Sequence, residues 1–294
     1  MEVYPIKWNF RDIPYGPDPS QTFDIIIPKE KAVHVIIYIH GGAYLIGDKS
    51  QYPSFLAYYS EKNVIAAINY RVIEQNSRVN INDILFDINS ALLKIIELLG
   101  KNKVSIKDFI LIGHSAGGHL GLLYGYKNNH LKIRIASCIS LSGPTDFTDD
   151  LGWSSMTMWG ENLETRLLFL SELGSCLCGH TIKLTQFNWT KQKNYPDFKK
   201  YVIKISPIMY ISKSKTPPTL MVHARSDNQV PYSNSLRLKM TLDRFSVPNK
   251  LITPTGIGDN HNLGGIAFTS TSRLILEDQI WVDEAKKWLE GYLD

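Results

Sequence analysis

One serine of the sequence stands in a pattern suited to nucleophilic chemistry. Residues 113–117, "GHSAG", fit G-x-S-x-G and follow the apolar run "FILI" at 109–112. A helical pattern rich in small residues comes next, which predicts a sharp turn from strand to helix with the serine exposed at its tip. Glycines beside the serine leave room for backbone to cross closely at such a turn. A glycine-rich helix N-terminus capped by serine is the alternative, but the preceding strand favours Ser115 as a nucleophile.

A serine hydroxyl is a weak nucleophile at neutral pH and needs a general base, which itself needs an orienting acid. At a strand–turn–helix site of this kind, the chain order is serine, acid, histidine. His180, His223 and His261 follow Ser115 far enough along the chain. We predict His261 as the base, because it lies in the polar, glycine-rich loop "TGIGDNHNLGG" and catalytic residues favour such loops. His223 in an apolar strand and His180 in an insertion are interpreted as structural.

The acid is expected at the end of the strand that precedes the histidine loop. The segment "TLMVHARSDNQVP" (219–231) places Asp227 at such a strand end. Asp243 falls in a helical pattern, and Asp259 is too near His261 in sequence to be its natural partner. Asp227 is therefore predicted to fix the imidazole tautomer and to stabilise the imidazolium. A solvated turn aspartate is the alternative interpretation.

Two glycines that follow an early apolar run indicate a close approach to the backbone. The stretch "VIIYIHGGAYLIGD" (35–48) passes directly from apolar residues into this glycine pair. When a serine attacks a carbonyl, the oxygen becomes an anion that needs backbone N–H donors at ~2.7–3.1 Å. The residue after the nucleophile supplies one donor, at a helix N-terminus whose dipole favours negative charge. The predicted oxyanion hole comprises Gly41, which allows the turn, and the donors Gly42, Ala43 and Ala116.

A sheet covered by helices on both faces would bring these residues together. Apolar runs without alternation predict buried strands at 33–39, 64–68, 109–112, 135–141 and 219–223. Apolar residues at helical spacing predict a helix over 82–100, with Gly100 as a candidate C-cap, and another over 279–293. This alternation of strands and helices predicts an α/β fold with a mostly parallel sheet and right-handed crossovers.

Residues 147–205 interrupt the alternation. No regular strand pattern appears there, and the segment is rich in tryptophan and other apolar residues. We interpret it as an insertion within a single domain of residues 1–294, either a helical excursion over core surface or a cap above an apolar pocket. A cap would bring Trp153 and Trp159 near the substrate, and Tyr44 beside the oxyanion loop is a third tentative substrate contact. An apolar cap favours short to medium acyl chains, because each buried methylene contributes ~0.8 kcal/mol.

Composition limits the partners of the chain. It has 294 residues and a net charge of +4, with basic residues scattered except for a loose run of lysines between Lys183 and Lys204. A nucleic-acid site would need a denser basic stripe with aromatic platforms, so no nucleic-acid partner is expected. The N-terminal stretch lacks the pattern of a signal peptide, and no apolar stretch is long enough to span a membrane. A cytoplasmic location is therefore expected.

The three cysteines do not form a recognisable disulfide or metal pattern. Cys176 and Cys178 are separated by one residue, and Cys138 sits in an apolar run. No second pair of cysteine or histidine residues lies at ligand spacing from the first two, so we expect a reduced protein without a metal site. The sequence does not predict an oligomeric state.

The motifs together resemble the HGG-type carboxylesterases of the α/β-hydrolase superfamily, the branch akin to hormone-sensitive lipase and bacterial esterases. The matching pieces occur in the family's order along residues 33–261: "HGGAYLIGDK", "INYR", "GHSAGG", "SGPTD", "SPI", "ARSDNQVP" and "DNH". The resemblance implies an eight-stranded hydrolase sheet and a cap after the sixth strand. It also implies hydrolysis of small-molecule carboxylic esters through an acyl-enzyme intermediate, without a cofactor.

Position by position, the resemblance assigns the nucleophile to Ser115, the acid to Asp227 and the base to His261. Its oxyanion donors fall on Gly42, Ala43 and Ala116, with Ala43 in place of the third glycine of the family's usual loop. Two other functions stay open. The same residues serve amide and formamide hydrolases such as kynurenine formamidase, and some proteins of this fold bind ligands without catalysis.

Overall fold

The computed structural model describes residues 6–29, 34–73, 79–127, 133–155, 171, 174–175, 195–256, 259–263 and 276–293. The strands of the described part are β1 (Phe10–Pro14), β2 (Thr22–Ile26), β3 (His34–Ile39), β4 (Val64–Ile68), β5 (Asp108–His114), β6 (Arg134–Leu141), β7 (Thr219–Val222) and β8 (Asn249–Ile252). They form one eight-stranded sheet in the order β1-β2-β4-β3-β5-β6-β7-β8. β2 pairs antiparallel with both β1 and β4, and the other neighbours pair parallel. The mostly parallel eight-stranded sheet is thus confirmed.

Helices cover both faces of the sheet. They are α1 (Ile81–Lys101), α2 (Ala116–Lys127), α3 (Asp150–Ser154), α4 (Tyr195–Ile205), α5 (Tyr232–Arg244) and α6 (Leu276–Leu293), with short 3₁₀ turns at Ser54–Tyr59 and Pro207–Tyr210. Because successive strand side chains point to opposite faces, β3 contributes to two cores. Ile37 and Ile39 pack in the core shared with α1, α2 and α5. Ile36 and Tyr38 pack on the other face with Trp281 of α6.

Helix α1 begins and ends for local reasons. Asn80 caps its N-terminus: the Asn80 side chain accepts from Asn82 N at 2.8 Å, and Asp83 accepts from Asn80 N at 2.9 Å. Gly100 was predicted as the C-cap, and this is wrong, because the helix continues to Lys101 and Asn102 is the cap. Lys103 adopts the left-handed conformation (φ 58°) that was expected of a glycine at this end.

The register of the parallel strands aligns the carboxyl ends of the central strands. Ile39 of β3 lies opposite Gly113 of β5, and His114 lies opposite Leu141 of β6. Leu141 in turn lies opposite Val222 of β7. Val222 lies opposite Ile252 of β8. The loops that follow β3, β5, β7 and β8 therefore leave the sheet at one edge, and these are the loops that hold the predicted chemistry.

The segment 147–205 joins β6 to β7, and the structure describes it only in part. Helix α3 and helix α4 are among its described residues. Residues 156–170 lie outside the described residues, and they include Trp159. The cysteines at 176 and 178 lie outside them as well. The interpretation of this segment as a cap therefore stays a prediction. Cys138 is a free, buried thiol in β6.

Candidate active site

Ser115 occupies the turn between β5 and α2, and its backbone is strained. Its φ of 52° lies in the left-handed region, which is uncommon for a residue with a Cβ atom. The conformation is fixed from both sides, because Ser115 N donates to Leu141 O at 2.7 Å and Ser115 O accepts from His119 N at 3.1 Å. A strained residue held in this way presents its side chain at the tip of the turn, as the sequence motif predicts.

The glycines of the motif allow β5 and α2 to approach β3. A Cβ atom on Gly117 would overlap the carbonyl of Ile39, at the end of β3. A Cβ atom on Gly113 would overlap the backbone of Gly117 itself. Backbone from three elements therefore meets at this point, and only glycine leaves enough space for it.

The structure brings Ser115, His261 and Asp227 into one chain of hydrogen bonds. His261 Nε2 lies 2.9 Å from Ser115 Oγ, and His261 Nδ1 lies 2.8 Å from Asp227 Oδ2. A carboxylate only accepts, so Nδ1 carries the hydrogen and Nε2 is left to accept from the serine hydroxyl. The three residues come from loops after β5, β7 and β8, and the sequence separations are large.

Asp227 stays ionised in this environment. Burial alone would raise the pKa of the Asp227 carboxyl, but hydrogen bonds from His223 and His261 outweigh burial and hold the pKa well below its ordinary value. Its Oδ1 also accepts from the backbone N–H groups of Gln229 and Val230, each at 2.9 Å. The carboxylate is therefore negatively charged at the pH values at which histidine titrates.

The loop after β3 folds over Ser115. Gly42, Ala43 and Tyr44 have positive φ values of 105°, 52° and 67°. A Cβ atom on Gly41 would lie 2.9 Å from His114 O and 3.2 Å from Ser115 Cβ, so this loop lies against the serine. Any side chain at position 41 would push the loop away from it.

Two backbone donors of this loop are unused within the described part of the chain. No hydrogen bond there has the N–H group of Gly42 or Ala43 as its donor. Ala116 is the first residue of α2, so its N–H group has no partner within the helix. These three N–H groups are the predicted oxyanion donors. An oxyanion donor must not already be bonded to another acceptor.

The loop after β3 is held by hydrogen bonds to its neighbours. Tyr70 Oη donates to His40 O at 3.0 Å, and the two rings stack with centroids 4.3 Å apart. Ile73 N donates to Tyr44 O at 2.7 Å. The Tyr44 hydroxyl lies 2.8 Å from His119 Nδ1, and His119 Nε2 lies 2.6 Å from Ile205 O. The loop is thereby tied to α2 and to the end of α4.

Three buried histidines around the site are neutral. Burial lowers the pKa of His40 to about 4, of His114 to about 3 and of His119 to about 4. Each holds a backbone carbonyl, and that of His114 is His261 O, at 3.0 Å from His114 Nε2. They support the loops of the site through these contacts.

The tentative substrate contacts have different positions. Tyr44 is 3% exposed, and Trp153 is 6% exposed. Trp153 stacks on Phe147 with centroids 5.4 Å apart and donates from Nε1 to Asp146 O at 3.0 Å. Trp159 lies outside the described residues. The part of these three side chains in substrate binding stays a prediction.

Sequence reasoning missed the position of His223. It was interpreted as a structural residue within a strand, but β7 ends at Val222, and His223 Nε2 lies 3.2 Å from Asp227 Oδ2. The spacing of His223 four residues before Asp227 was visible in the sequence. Nothing in the pattern showed that the chain turns back so that the two side chains meet.

The described residues include neither a metal-binding cluster nor a membrane-spanning helix. No three histidine, cysteine, aspartate or glutamate side chains among them are grouped so that they could hold a metal ion. None of the helices in the described ranges has the length and apolar character needed to cross a membrane.

Known proteins with similar sequences carry esterase names. The BD-FAE family model matches residues 23–242. A probable isoprenylcysteine alpha-carbonyl methylesterase of Arabidopsis thaliana is 25% identical over 263 residues, which cover 84% of this chain and 50% of the relative. A second protein of that plant, named isoprenylcysteine alpha-carbonyl methylesterase, is 22% identical over 251 residues, 84% of this chain and 55% of the relative. The chain thus spans about half the length of these curated relatives.

Solved structures of esterases superpose on this chain. A truncated carbohydrate esterase from gut microbiota superposes with a TM-score of 0.68 at 18% identity, covering 97% of this chain and 98% of the other. Esterase B from Lactobacillus rhamnosis, inhibited by a tributyrin phosphonate, superposes with a TM-score of 0.70 at 16% identity, covering 99% of this chain and 88% of the other. These similarities show the α/β-hydrolase fold, and the match over residues 23–242 shows that the chain belongs to the BD-FAE family.

Proposed function

We propose that this chain is a serine hydrolase that cleaves carboxylic esters through an acyl-enzyme intermediate. The observation that carries the proposal is the contact of His261 Nε2 with Ser115 Oγ at 2.9 Å, while His261 Nδ1 lies 2.8 Å from Asp227. A nucleophile, a base and an acid in hydrogen-bond contact are what acyl transfer by serine requires. Membership of the BD-FAE family and the esterase names of the relatives support the same reaction.

In the first half of the reaction, Ser115 Oγ attacks the ester carbonyl carbon while His261 Nε2 takes the hydroxyl proton. The carbonyl oxygen becomes an anion that accepts from the N–H groups of Gly42, Ala43 and Ala116. The bond to the leaving oxygen then breaks, His261 returns the proton to the departing alkoxide, and the acyl group stays on Ser115.

In the second half, a water molecule attacks the acyl carbon and gives a proton to His261. The acid product leaves, and the proton returns to Ser115 Oγ. Asp227 keeps its negative charge throughout, because its pKa is held low by its hydrogen bonds. The charge stabilises each imidazolium that forms and keeps the His261 ring in its working tautomer.

The proposed substrates are esters of small to medium acyl chains. The apolar residues of the segment 153–170 support this size, if the segment forms a cap above Ser115. Each buried methylene adds ~0.8 kcal/mol until the closed pocket is full, so kcat/KM should peak at roughly four to eight acyl carbons.

The curated relatives suggest a second substrate class. Both Arabidopsis proteins are named for the methyl ester of a prenylated cysteine, and the match to each of them covers 84% of this chain. Such a substrate combines a small alcohol with a large apolar acyl part, and the same catalytic residues would cleave it.

One panel of substrates separates these proposals. It contains p-nitrophenyl esters of increasing acyl length, an acetylated sugar, N-formylkynurenine and S-farnesylcysteine methyl ester, with Ser115→Ala as the inactive control. A maximum of kcat/KM at medium acyl length supports the proposal. A preference for the farnesylated ester would indicate that the substrate is a prenylcysteine methyl ester, the class for which the relatives are named. Flat activity across acyl lengths, or a preference for the acetylated sugar or N-formylkynurenine, would contradict the proposed acyl size.

A further inference from the structure

His223 lies against the acid of the proposed catalytic site. Its side chain is fully buried, and Nε2 lies 3.2 Å from Asp227 Oδ2 and 3.1 Å from Val230 O. A carboxylate and a carbonyl both only accept, so His223 Nε2 must carry a hydrogen. His223 Nδ1 lies 2.7 Å from Ser235 Oγ, and the hydroxyl can donate to it. Ser235, in α5, thereby favours the tautomer in which His223 carries its hydrogen on Nε2, the nitrogen that faces both Val230 O and Asp227 Oδ2.

Four nitrogen atoms lie within 3.2 Å of the Asp227 carboxylate oxygens. Oδ1 accepts from Gln229 N and Val230 N, both at 2.9 Å. Oδ2 is approached by His261 Nδ1 at 2.8 Å and by His223 Nε2 at 3.2 Å. Two backbone N–H groups therefore hold Oδ1, whereas Oδ2 is held by His261 and by the single Nε2 hydrogen of His223, which Val230 O shares.

The contacts of His223 and Val230 close a ring around the acid. Val230 N donates to Asp227 Oδ1, Val230 O accepts from His223 Nε2, and the same Nε2 faces Asp227 Oδ2. Without the imidazole, Oδ2 would be held by His261 alone, and a buried carbonyl would lose its donor. Oδ2 would then be less restrained toward His261, because the two backbone donors hold Oδ1 only.

We propose that His223 is a positioning residue for ester hydrolysis, which holds Asp227 Oδ2 toward His261 Nδ1 so that His261 Nε2 stays directed at Ser115. This inference rests on the proposed function, because it assigns His223 an effect on the rate and not only on stability. His223 touches neither the substrate nor the reacting atoms, and it acts through Asp227.

Two amide substitutions form a matched test. In His223→Gln, the longer side chain can place an N–H donor near the position of Nε2, whereas in His223→Asn the donor reaches only the position of Nδ1. His34→Gln is the control for loss of a buried histidine far from the site, since His34 pairs with Asp108 at the opposite edge of the sheet. The rate is measured with a p-nitrophenyl ester and divided by the number of sites that a fluorophosphonate titrates, so that misfolded protein does not count.

We expect His223→Asn to lower kcat per titrated site roughly tenfold, at the lower end of what a hydrogen bond to a charged group is worth. KM should stay within about twofold, because a positioning residue acts on the transition state and not on substrate binding. His223→Gln should recover most of kcat, and His34→Gln should match the wild type. Equal kcat per site in wild type and His223→Asn, or equal losses in the two amide variants, would overturn the inference and leave the proposed function intact. A wild-type protein that neither reacts with the probe nor hydrolyses esters would overturn the proposed function itself.

Discussion

Two of the buried histidine–aspartate pairs in the described residues lie at opposite edges of one sheet. His34 Nδ1 lies 2.6 Å from Asp108 Oδ1, at the amino ends of β3 and β5. His261 Nδ1 lies 2.8 Å from Asp227 Oδ2, at the carboxyl edge. The two distances and the burial of the carboxylates are nearly the same, so the pair alone does not identify a catalytic site.

The difference lies in the third partner of each pair. Asp108 also binds Arg134 Nη2 at 2.8 Å, which turns the first pair into an ion-pair cluster that joins neighbouring strands. In the second pair, His261 Nε2 faces the hydroxyl of a strained serine at 2.9 Å. The histidine–aspartate contact is common to both pairs, so it does not by itself indicate catalysis. We infer a catalytic role for His261 because its second nitrogen, Nε2, faces the Ser115 hydroxyl.

The largest expected effect is the difference in kcat/KM between variants of His261 and of His34. His261→Ala removes the proposed base and should lower kcat/KM by on the order of 10⁶-fold, as in a known serine triad. His34→Ala leaves Asp108 paired with Arg134 and should leave kcat/KM per titrated site unchanged, although stability falls. Both variants are assayed by ester hydrolysis; the rate of His34→Ala is divided by the titrated sites, and that of His261→Ala by the concentration of folded protein, because this variant should react only slowly with the probe. A loss of less than tenfold in His261→Ala would mean that another residue is the base.

A smaller effect is expected from the loop that faces the serine. In Gly41→Ala the added methyl would press on His114 O and on Ser115 Cβ, which displaces the proposed oxyanion donors. Loss of one such donor costs about 10²- to 10³-fold in kcat. Gly121→Ala is the matched control, because a Cβ atom there meets ordinary van der Waals neighbours at 3.6 and 3.8 Å. Equal kcat in the two variants would show that close approach at position 41 is not needed for catalysis.

The smallest expected effect concerns stability at acidic pH. The pKa of His119 falls from 6.5 to about 4 on folding. The reason is that the protonated ring carries a charge, and water cannot solvate that charge in the buried position. Below pH 6.5 the unfolded chain binds this proton and the folded chain does not, so the free energy of unfolding falls as the pH drops from 6.5 toward 4. His119 accounts for about 3 kcal/mol of this loss, at about 1.4 kcal/mol per pH unit.

Urea unfolding at a series of pH values measures this dependence. His119→Gln keeps a donor for Ile205 O and removes the titrating group, so its unfolding free energy should depend less steeply on pH in this range. His40 and His114 contribute in the same direction, and their contributions remain in the variant. An identical pH slope in wild type and His119→Gln would show that His119 titrates normally in the folded chain.

Local patterns were sufficient to predict most of the sheet and the strained turn. β4 (Val64–Ile68) matches its predicted bounds, because a run of buried apolar residues needs no information from the rest of the chain. Ser115 was identified for the same reason, since its strand, turn and helix are contiguous in sequence. The end of α1 was wrongly predicted at Gly100. This glycine is solvent-exposed inside the helix, and the residue with the left-handed conformation is Lys103.

Contacts between distant segments could not be predicted in the same way. Chain order and loop character selected Asp227 and His261, but their contact depends on how β7 and β8 are placed beside β5. The role of Ser235 behind His223 depends on the packing of α5 against β7, which has no sequence signature. The sequence names candidates for the site, and only the folded chain shows which nitrogen faces which oxygen.

The central claim is that Ser115 is the nucleophile, and labelling with a fluorophosphonate probe tests it most directly. The probe phosphonylates a serine hydroxyl only where a base activates it, so intact-mass analysis should show one adduct on the wild-type protein and none on Ser115→Ala. Peptide mapping should place the adduct on Ser115, and His261→Ala should react far more slowly. Labelling of the Ser115→Ala protein at the wild-type rate would contradict the account, because another serine would then be the nucleophile.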